Sequence, residues 1–134
     1  MPQQQSSAAP VVLIVENDVL LRLVTASNLR DAGFEVLEAA NSAEAIHILD
    51  CIPVDALFSD IDMPGTMDGL ALAQWVHQRR VDTRIILTSG AARALGGARE
   101  YASFLPKPYA NKDVEHLVEA FFLHPGESNR QRRI

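Results

Sequence analysis

The chain has 134 residues, 48% of them hydrophobic, which is enough for one domain with a single core and too little for two. Its formal net charge of −5 and sequence pI near 5.3 exclude a nucleic-acid surface of clustered Lys and Arg. The lone Cys51 allows no internal disulfide, no apolar run approaches the roughly 20 residues of a membrane span, and the N-terminus lacks a signal-peptide pattern, so a soluble protein of the cytoplasm is expected.

Residues 1–10 are small and polar and end at Pro10; they carry too little apolar surface to offset the entropy of ordering, which predicts a flexible lead. Val11 to Val15 is an unbroken apolar run, as in a strand buried on both faces of a parallel sheet, and it leads into Glu16-Asn17-Asp18. After Asp18, Leu20 with Leu23 and Val24 and then Ala26 with Leu29 recur at helical spacing, up to a stop at Gly33. Phe34 to Glu38 alternates as a second, partly exposed strand. Asn41 followed by Glu44 has the spacing of a capping box and opens a helix through Ile46 and Leu49, which Pro53 closes.

Val54 to Ser59 reads as the third strand and leaves Asp60 standing at its end, before the Pro64-Gly65 break. Asp68-Gly69 precedes a helix with Leu72, Trp75 and Val76, where Trp75 reads as half-buried packing. Arg84 to Leu87 is the fourth strand and runs into Thr88-Ser89-Gly90. From Ala91 to Tyr101 the pattern is weakest: Gly96-Gly97 stand where a helix would continue, at a cost of about 1 kcal/mol per Gly relative to Ala, so this element is expected to be short or mobile. Phe104-Leu105-Pro106 delivers Lys107-Pro108. Asn111 is placed to cap the last helix, whose Val114, Leu117, Val118 and Phe121 make one apolar face, and residues 124–134 are expected to be a disordered tail.

Strands alternating with helices predict a parallel sheet covered on both faces and joined by right-handed crossovers. Chemistry collects at the carboxyl ends of such strands, where Glu16, Asn17, Asp60, Thr88 and Lys107 would meet. Carboxylates crowded there repel one another, and a raised pKa or a bound cation resolves the repulsion; hard oxygen donors with open water positions suit Mg²⁺. Taken singly, these residues have plain structural readings. Asp18 is a helix cap, Asp62 and Asp68 are solvated loop acids, Thr88 is a strand-end hydroxyl and Lys107 a surface lysine. His47, His77, His116 and His124 have no ligand spacing and read as solvated faces.

Glu16-Asn17, Asp60 with Met63-Pro64, Thr88-Ser89 and Lys107-Pro108, in this order, closely resemble the receiver domain of bacterial two-component response regulators over residues 11–123. The resemblance implies a flavodoxin-like, doubly wound α/β fold with a five-stranded parallel sheet in the order 2-1-3-4-5. It implies Asp60 as phosphoacceptor with Thr88 and Lys107 as its catalytic partners. Asn17, Asp60 and the backbone carbonyl of Asp62 would be direct Mg²⁺ ligands, with Glu16 acting through water. Thr88 and Phe104 would be the switch pair, and the Lys107–Pro108 bond would be cis. Such a domain is not an enzyme beyond its own phosphorylation and dephosphorylation. Its donor would be a sensor histidine kinase or a phosphotransfer protein. Output would pass to another protein, or to a second copy, across the face of the fourth helix, fifth strand and fifth helix. With so few residues after Phe122, a stand-alone regulator is expected.

The chain departs from that pattern in four places. Asn17 stands where most receivers carry an acid, Thr66 is a one-residue insertion, the Thr88–Lys107 interval is a few residues short, and Phe104 lacks the hydroxyl of the Tyr frequent at the switch position. A receiver that binds a partner without being phosphorylated is the alternative, opposed by the retention of Asp60, Thr88 and Lys107 together. A flavodoxin-like nucleotide-binding or phosphatase domain is a third reading, opposed by the lack of a Gly-rich phosphate loop after the first strand.

Overall fold

Strand and helix alternate along residues 9–91 and 95–123, the parts of the chain that the computed structural model describes. The order is β1 (Val11–Val15), α1 (Val19–Asp31), β2 (Glu35–Ala39), α2 (Ser42–Cys51), β3 (Ala56–Asp60), α3 (Gly69–Arg79), β4 (Arg84–Ser89), a 3-10 helix (Gly96–Glu100), β5 (Ala102–Pro106) and α4 (Asn111–Leu123). The sheet is five-stranded, all parallel, in the order β2-β1-β3-β4-β5. The predicted fold class and strand order are those observed. The weak stretch before β5 holds only the 3-10 helix among its described residues, with Gly96 at φ +59°, a left-handed conformation that Gly adopts without penalty. The lead at 1–10, except Ala9 and Pro10, and the tail at 124–134 lie outside the described residues; the Pro10 carbonyl accepts from Glu35 N at 3.0 Å.

Alternation along the central strands divides the core in two. Leu13, Val15, Leu57, Ile85 and Leu87 pack with Ala45 and Leu49 of α2 and with Leu72, Ala73 and Val76 of α3. Val12, Ile14, Ala56, Phe58 and Ile86 pack on the other face with Ala26 and Leu29 of α1 and Val114 and Val118 of α4. Burying each such Leu, Val, Ile or Phe side chain is worth about 1.5–3 kcal/mol, which is why an unbroken apolar strand is stable only between two helical layers.

The starts of α1 and α2 are capped as the spacing predicts, and Asp68, read from sequence as a solvated loop acid, caps α3. Asp18 Oδ1 accepts from Leu21 N, Asn41 Oδ1 from Glu44 N and Asp68 Oδ1 from Ala71 N. Glu44 reaches back to Ala40 N, one residue before the cap. One expectation needs correction. Asn111 lies inside the first turn of α4 instead of capping it, and Asp113 holds that end by accepting from Ala110 N. On α1 the buried residues are Thr25, Ala26 and Leu29, whereas Val19, Leu20, Leu23 and Val24 are exposed, Leu20 by 72%. Helical periodicity identifies α1 but, with apolar residues around most of its girth, does not select the face that meets the sheet.

Candidate functional site

Parallel register alone brings the acids together. Val15 pairs with Ser59, so Glu16 and Asp60 are the next residues along neighbouring strands, and Asp60 in turn pairs with Thr88. Pro106 pairs with Ser89, and Lys107 N donates to Ser89 O at 2.9 Å, which carries the lysine to the same rim. Its ammonium lies 2.9 Å from Glu16 Oε1 and 3.3 Å from Asp60 Oδ2. Both carboxylates are deeply placed, each residue only 4% exposed. The Lys107–Pro108 bond is cis.

The electrostatics follow from this placement. Burial, and then the neighbouring Glu16 charge, raise the Asp60 carboxyl above its ordinary range; the hydrogen bond from Asp62 N at 3.2 Å and the Lys107 ammonium oppose the rise without cancelling it. Burial by itself lowers the Lys107 ammonium, but the hydrogen bond and charge of Glu16, with those of Asp60, outweigh it and the net direction is upward. Two carboxylates share one ammonium, an arrangement short of positive charge. Thr88 Oγ1 is buried beside them and has no hydrogen-bond partner among the described residues, an arrangement that costs stability unless another state of the molecule uses the hydroxyl.

Glu16 is itself held in place. Its carbonyl accepts from Arg22 of α1 at 2.8 Å, its amide donates to Ala39 O at 3.1 Å, and its Oε2 accepts from Asp18 N at 3.0 Å. Asn17 is exposed at the top of the same loop. Asp62 and Asp68 are not merely solvated acids: Ser89 Oγ donates to Asp62 Oδ2 and also accepts from Ala91 N, while Asp68 caps α3. His77 is exposed, as expected of a solvated face, and its ring also stacks on Tyr101 with centroids 4.0 Å apart. His47 and His116 are exposed as expected, and His124 lies outside the described residues. Phe104 is half-buried against the α2–α3 side of the core, paired with Leu87 in the strand ladder. Trp75 is half-buried, with the Arg79 and Arg80 guanidinium carbons 5.0 and 5.7 Å from its ring.

Among the described residues no three His, Cys, Asp or Glu side chains cluster closely enough to hold a metal by themselves. The donors that could hold a hard cation are the Glu16 and Asp60 carboxylates, supplemented by the Asn17 amide oxygen and the Asp62 carbonyl. That set fits Mg²⁺, which keeps several of its waters and takes few protein ligands, and the excess negative charge on the buried pair favours such an ion. Gly69 is a site residue that the sequence reading passed over. Its amide donates to Ile61 O at 2.9 Å, so α3 begins directly against the backbone that follows Asp60. The signal available in the sequence was a Gly at the first position of a helix, where most residues would be better helix formers.

A sequence profile of the response regulator receiver domain matches residues 12–119. Among curated proteins the chain is similar to the DNA-binding transcriptional regulator NtrC of Escherichia coli strain K12, 31% identical over 128 residues; the match covers 92% of this chain but only 27% of that regulator's length. In fold it is similar to a receiver domain protein (CheY-like) from Methanospirillum hungatei JF-1, with a TM-score of 0.81 at 22% identity over 90% of this chain and 98% of that one. It is also similar to the response regulator protein TrrA of Thermotoga maritima, solved in complex with Mg(2+)-BeF, with a TM-score of 0.77 at 23% identity over 84% of this chain and 99% of that one. Because the profile match begins in β1 and ends in α4, it takes in every strand that contributes a rim residue. The chain therefore belongs to the response regulator receiver domain family.

Proposed function

We propose that this receiver accepts a phosphoryl group on Asp60 from a phosphohistidine of a sensor histidine kinase or phosphotransfer protein, and that it signals through protein contacts. The observation that carries this reading is the buried Asp60 carboxylate standing 3.3 Å from Lys107 Nζ, with the Thr88 hydroxyl, which has no partner among the described residues, on the paired residue. A carboxylate oxygen of Asp60 attacks phosphorus, the P–N bond of the donor breaks, the imidazole leaves with the electron pair, and an acyl phosphate remains on the receiver. Lys107 exchanges part of its contact with the carboxylates for a phosphoryl oxygen, and Thr88 donates to another oxygen of the product. Glu16, Asn17, Asp60 and the Asp62 carbonyl would hold Mg²⁺, which when bound supplies positive charge to the phosphoryl oxygens.

The exposed apolar strip of Val19, Leu20, Leu23 and Val24 begins just after the Glu16–Asp18 loop, which favours a protein donor that lands on α1 beside the acceptor. Movement of Thr88 toward the phosphoryl group, followed by Phe104, would carry the signal to the face of the 3-10 helix, β5 and α4, where a downstream protein or a second copy docks. No helix among the described residues is long and apolar enough to cross a membrane. Incubation with acetyl phosphate and Mg²⁺, read by intact mass, tests the reading. One added phosphoryl group that disappears in Asp60→Asn supports it. No uptake favours the receiver that is never phosphorylated, and turnover of a phosphate ester favours a phosphatase.

A further inference from the structure

We propose that Tyr109 is the positioning residue for Lys107, acting through a hydrogen bond that ties the segment after β5 to helix α1. The inference rests on the reading of Lys107 as a partner of the phosphoryl group at Asp60. Lysine has a flexible four-carbon stem and no geometry of its own, so an ammonium that must serve two carboxylates at 2.9 and 3.3 Å needs its backbone fixed on both sides. On the N-terminal side the anchor is the bond from Lys107 N to Ser89 O. On the C-terminal side Pro108 and Ala110 are exposed, and only Tyr109 between them turns inward.

Its ring meets Phe58 edge-on, with centroids 5.5 Å apart, and its hydroxyl lies 3.0 Å from Thr25 Oγ1. Phe58 precedes Ser59 and Asp60 on β3, and Thr25, 2% exposed, sits in the middle of α1, the helix that follows the Glu16 loop. Tyr109 thus spans the strand that presents the acceptor and the helix that follows the second carboxylate. Burial holds its phenol above the ordinary range, so the hydroxyl keeps its proton at neutral pH and the bond is available throughout that range. The apolar ring would suffice to fill the space against Phe58. The hydroxyl adds a directional tie that fixes how far the Lys107 segment stands from α1, and misplacement of a reacting group by about 1 Å can cost a factor of 100 in rate.

The test separates placement from stability. Tyr109→Phe leaves the buried Thr25 hydroxyl without this partner, whereas Thr25→Val with Tyr109→Phe replaces both partners by apolar groups of similar shape and should restore stability. Phosphorylation by acetyl phosphate with Mg²⁺ is expected to fall about tenfold in Tyr109→Phe and to stay low in the double variant although its melting temperature recovers. Thr25→Ser, which keeps the hydroxyl, should stay within about twofold of the parent, and in a Lys107→Ala background Tyr109→Phe should change the rate by less than about twofold. The Lys107 Cε chemical shift should move toward that of free lysine in the double variant. Recovery of rate together with melting temperature, an undiminished loss in the Lys107→Ala background, or an unmoved Cε shift would each overturn the proposal. If the parent takes up no phosphoryl group, the reading of Asp60 fails on its own, and the Cε shift still decides the role of Tyr109.

Discussion

Gly69 approaches the Asp60 backbone so closely that a Cβ added to it would stand 2.1 Å from the Asp60 carbonyl oxygen and 2.6 Å from the Ile61 Cα. At an ordinary helical position Gly→Ala stabilises by about 1 kcal/mol. Here the sign should reverse. The neighbours are backbone, which cannot rotate away, so Gly69→Ala is expected to cost about 1–3 kcal/mol. Because the displaced atoms belong to Asp60, phosphoryl uptake should fall as well. Urea denaturation and uptake measured on the same variant check this, and parental stability would mean that the start of α3 swings aside freely.

The raised Asp60 carboxyl sets a pH dependence. A folded-state value above the unfolded one means that, as pH rises, the native chain keeps this proton after the unfolded chain has lost it. The ionised group therefore weighs against folding at neutral pH and does not below the ordinary value of 3.8. With chelator present, Asp60→Asn should be more stable than the parent at pH 7, and the advantage should shrink as the pH falls through the folded-state value toward 3.8. Thermal melts across that range read it directly; an advantage independent of pH would assign the gain to packing instead.

Asn17 offers a gain of function. Replacing its amide by a carboxylate adds one charge at an exposed position, worth about 2 kcal/mol against a doubly charged ion at 4 Å in water, or about thirtyfold tighter Mg²⁺, and more where the low-dielectric floor at Asp60 contributes. Calorimetric titration of Asn17→Asp with Mg²⁺ measures this. Equal or weaker affinity would mean that residue 17 does not face the cation.

The strip on α1 separates docking from chemistry. Leu20 and Leu23 are exposed, so Leu20→Ser with Leu23→Ser should change stability by no more than about 0.5 kcal/mol per site. Uptake from acetyl phosphate should be unchanged, while transfer from a phosphorylated histidine phosphotransfer domain should slow about tenfold or more, as expected when apolar anchors are removed from an interface. Equal slowing with both donors would place these residues in the site's own stability.

Beryllofluoride, a mimic of the phosphoryl group, should recruit the Thr88 hydroxyl. Hydrogen exchange with and without it is expected to change at Thr88–Ser89, at Gly96–Glu100, around Phe104 and in the first turns of α4. Changes confined to the Asp60 rim would rule out that route of output.

The sequence by itself determined the alternation of strand and helix, the caps at Asp18 and Asn41, and the acids at strand ends. These are local: a five-residue apolar run, a side chain three residues from an amide, a Pro-Gly break. Parallel topology then follows from the crossover helices, and once β1 and β3 are neighbours Glu16 and Asp60 must meet. The weak stretch around Gly96-Gly97 was legible for the same reason, since glycine's preference is a property of its own backbone.

Tertiary structure alone decided the rest. Both Leu20-Leu23-Val24 and Ala26-Leu29 satisfy helical spacing, and only the curvature and position of the sheet select which of them is covered. The Thr25–Tyr109 bond joins residues 84 positions apart and the Ser89–Asp62 bond residues 27 apart, distances at which no local pattern carries information. The close approach of Gly69 depends on where α3 docks against β3. Each is a contact between elements whose separate existence the sequence announces but whose mutual placement is set by packing the whole core at once, because side-chain volume on both faces of the sheet must be filled together.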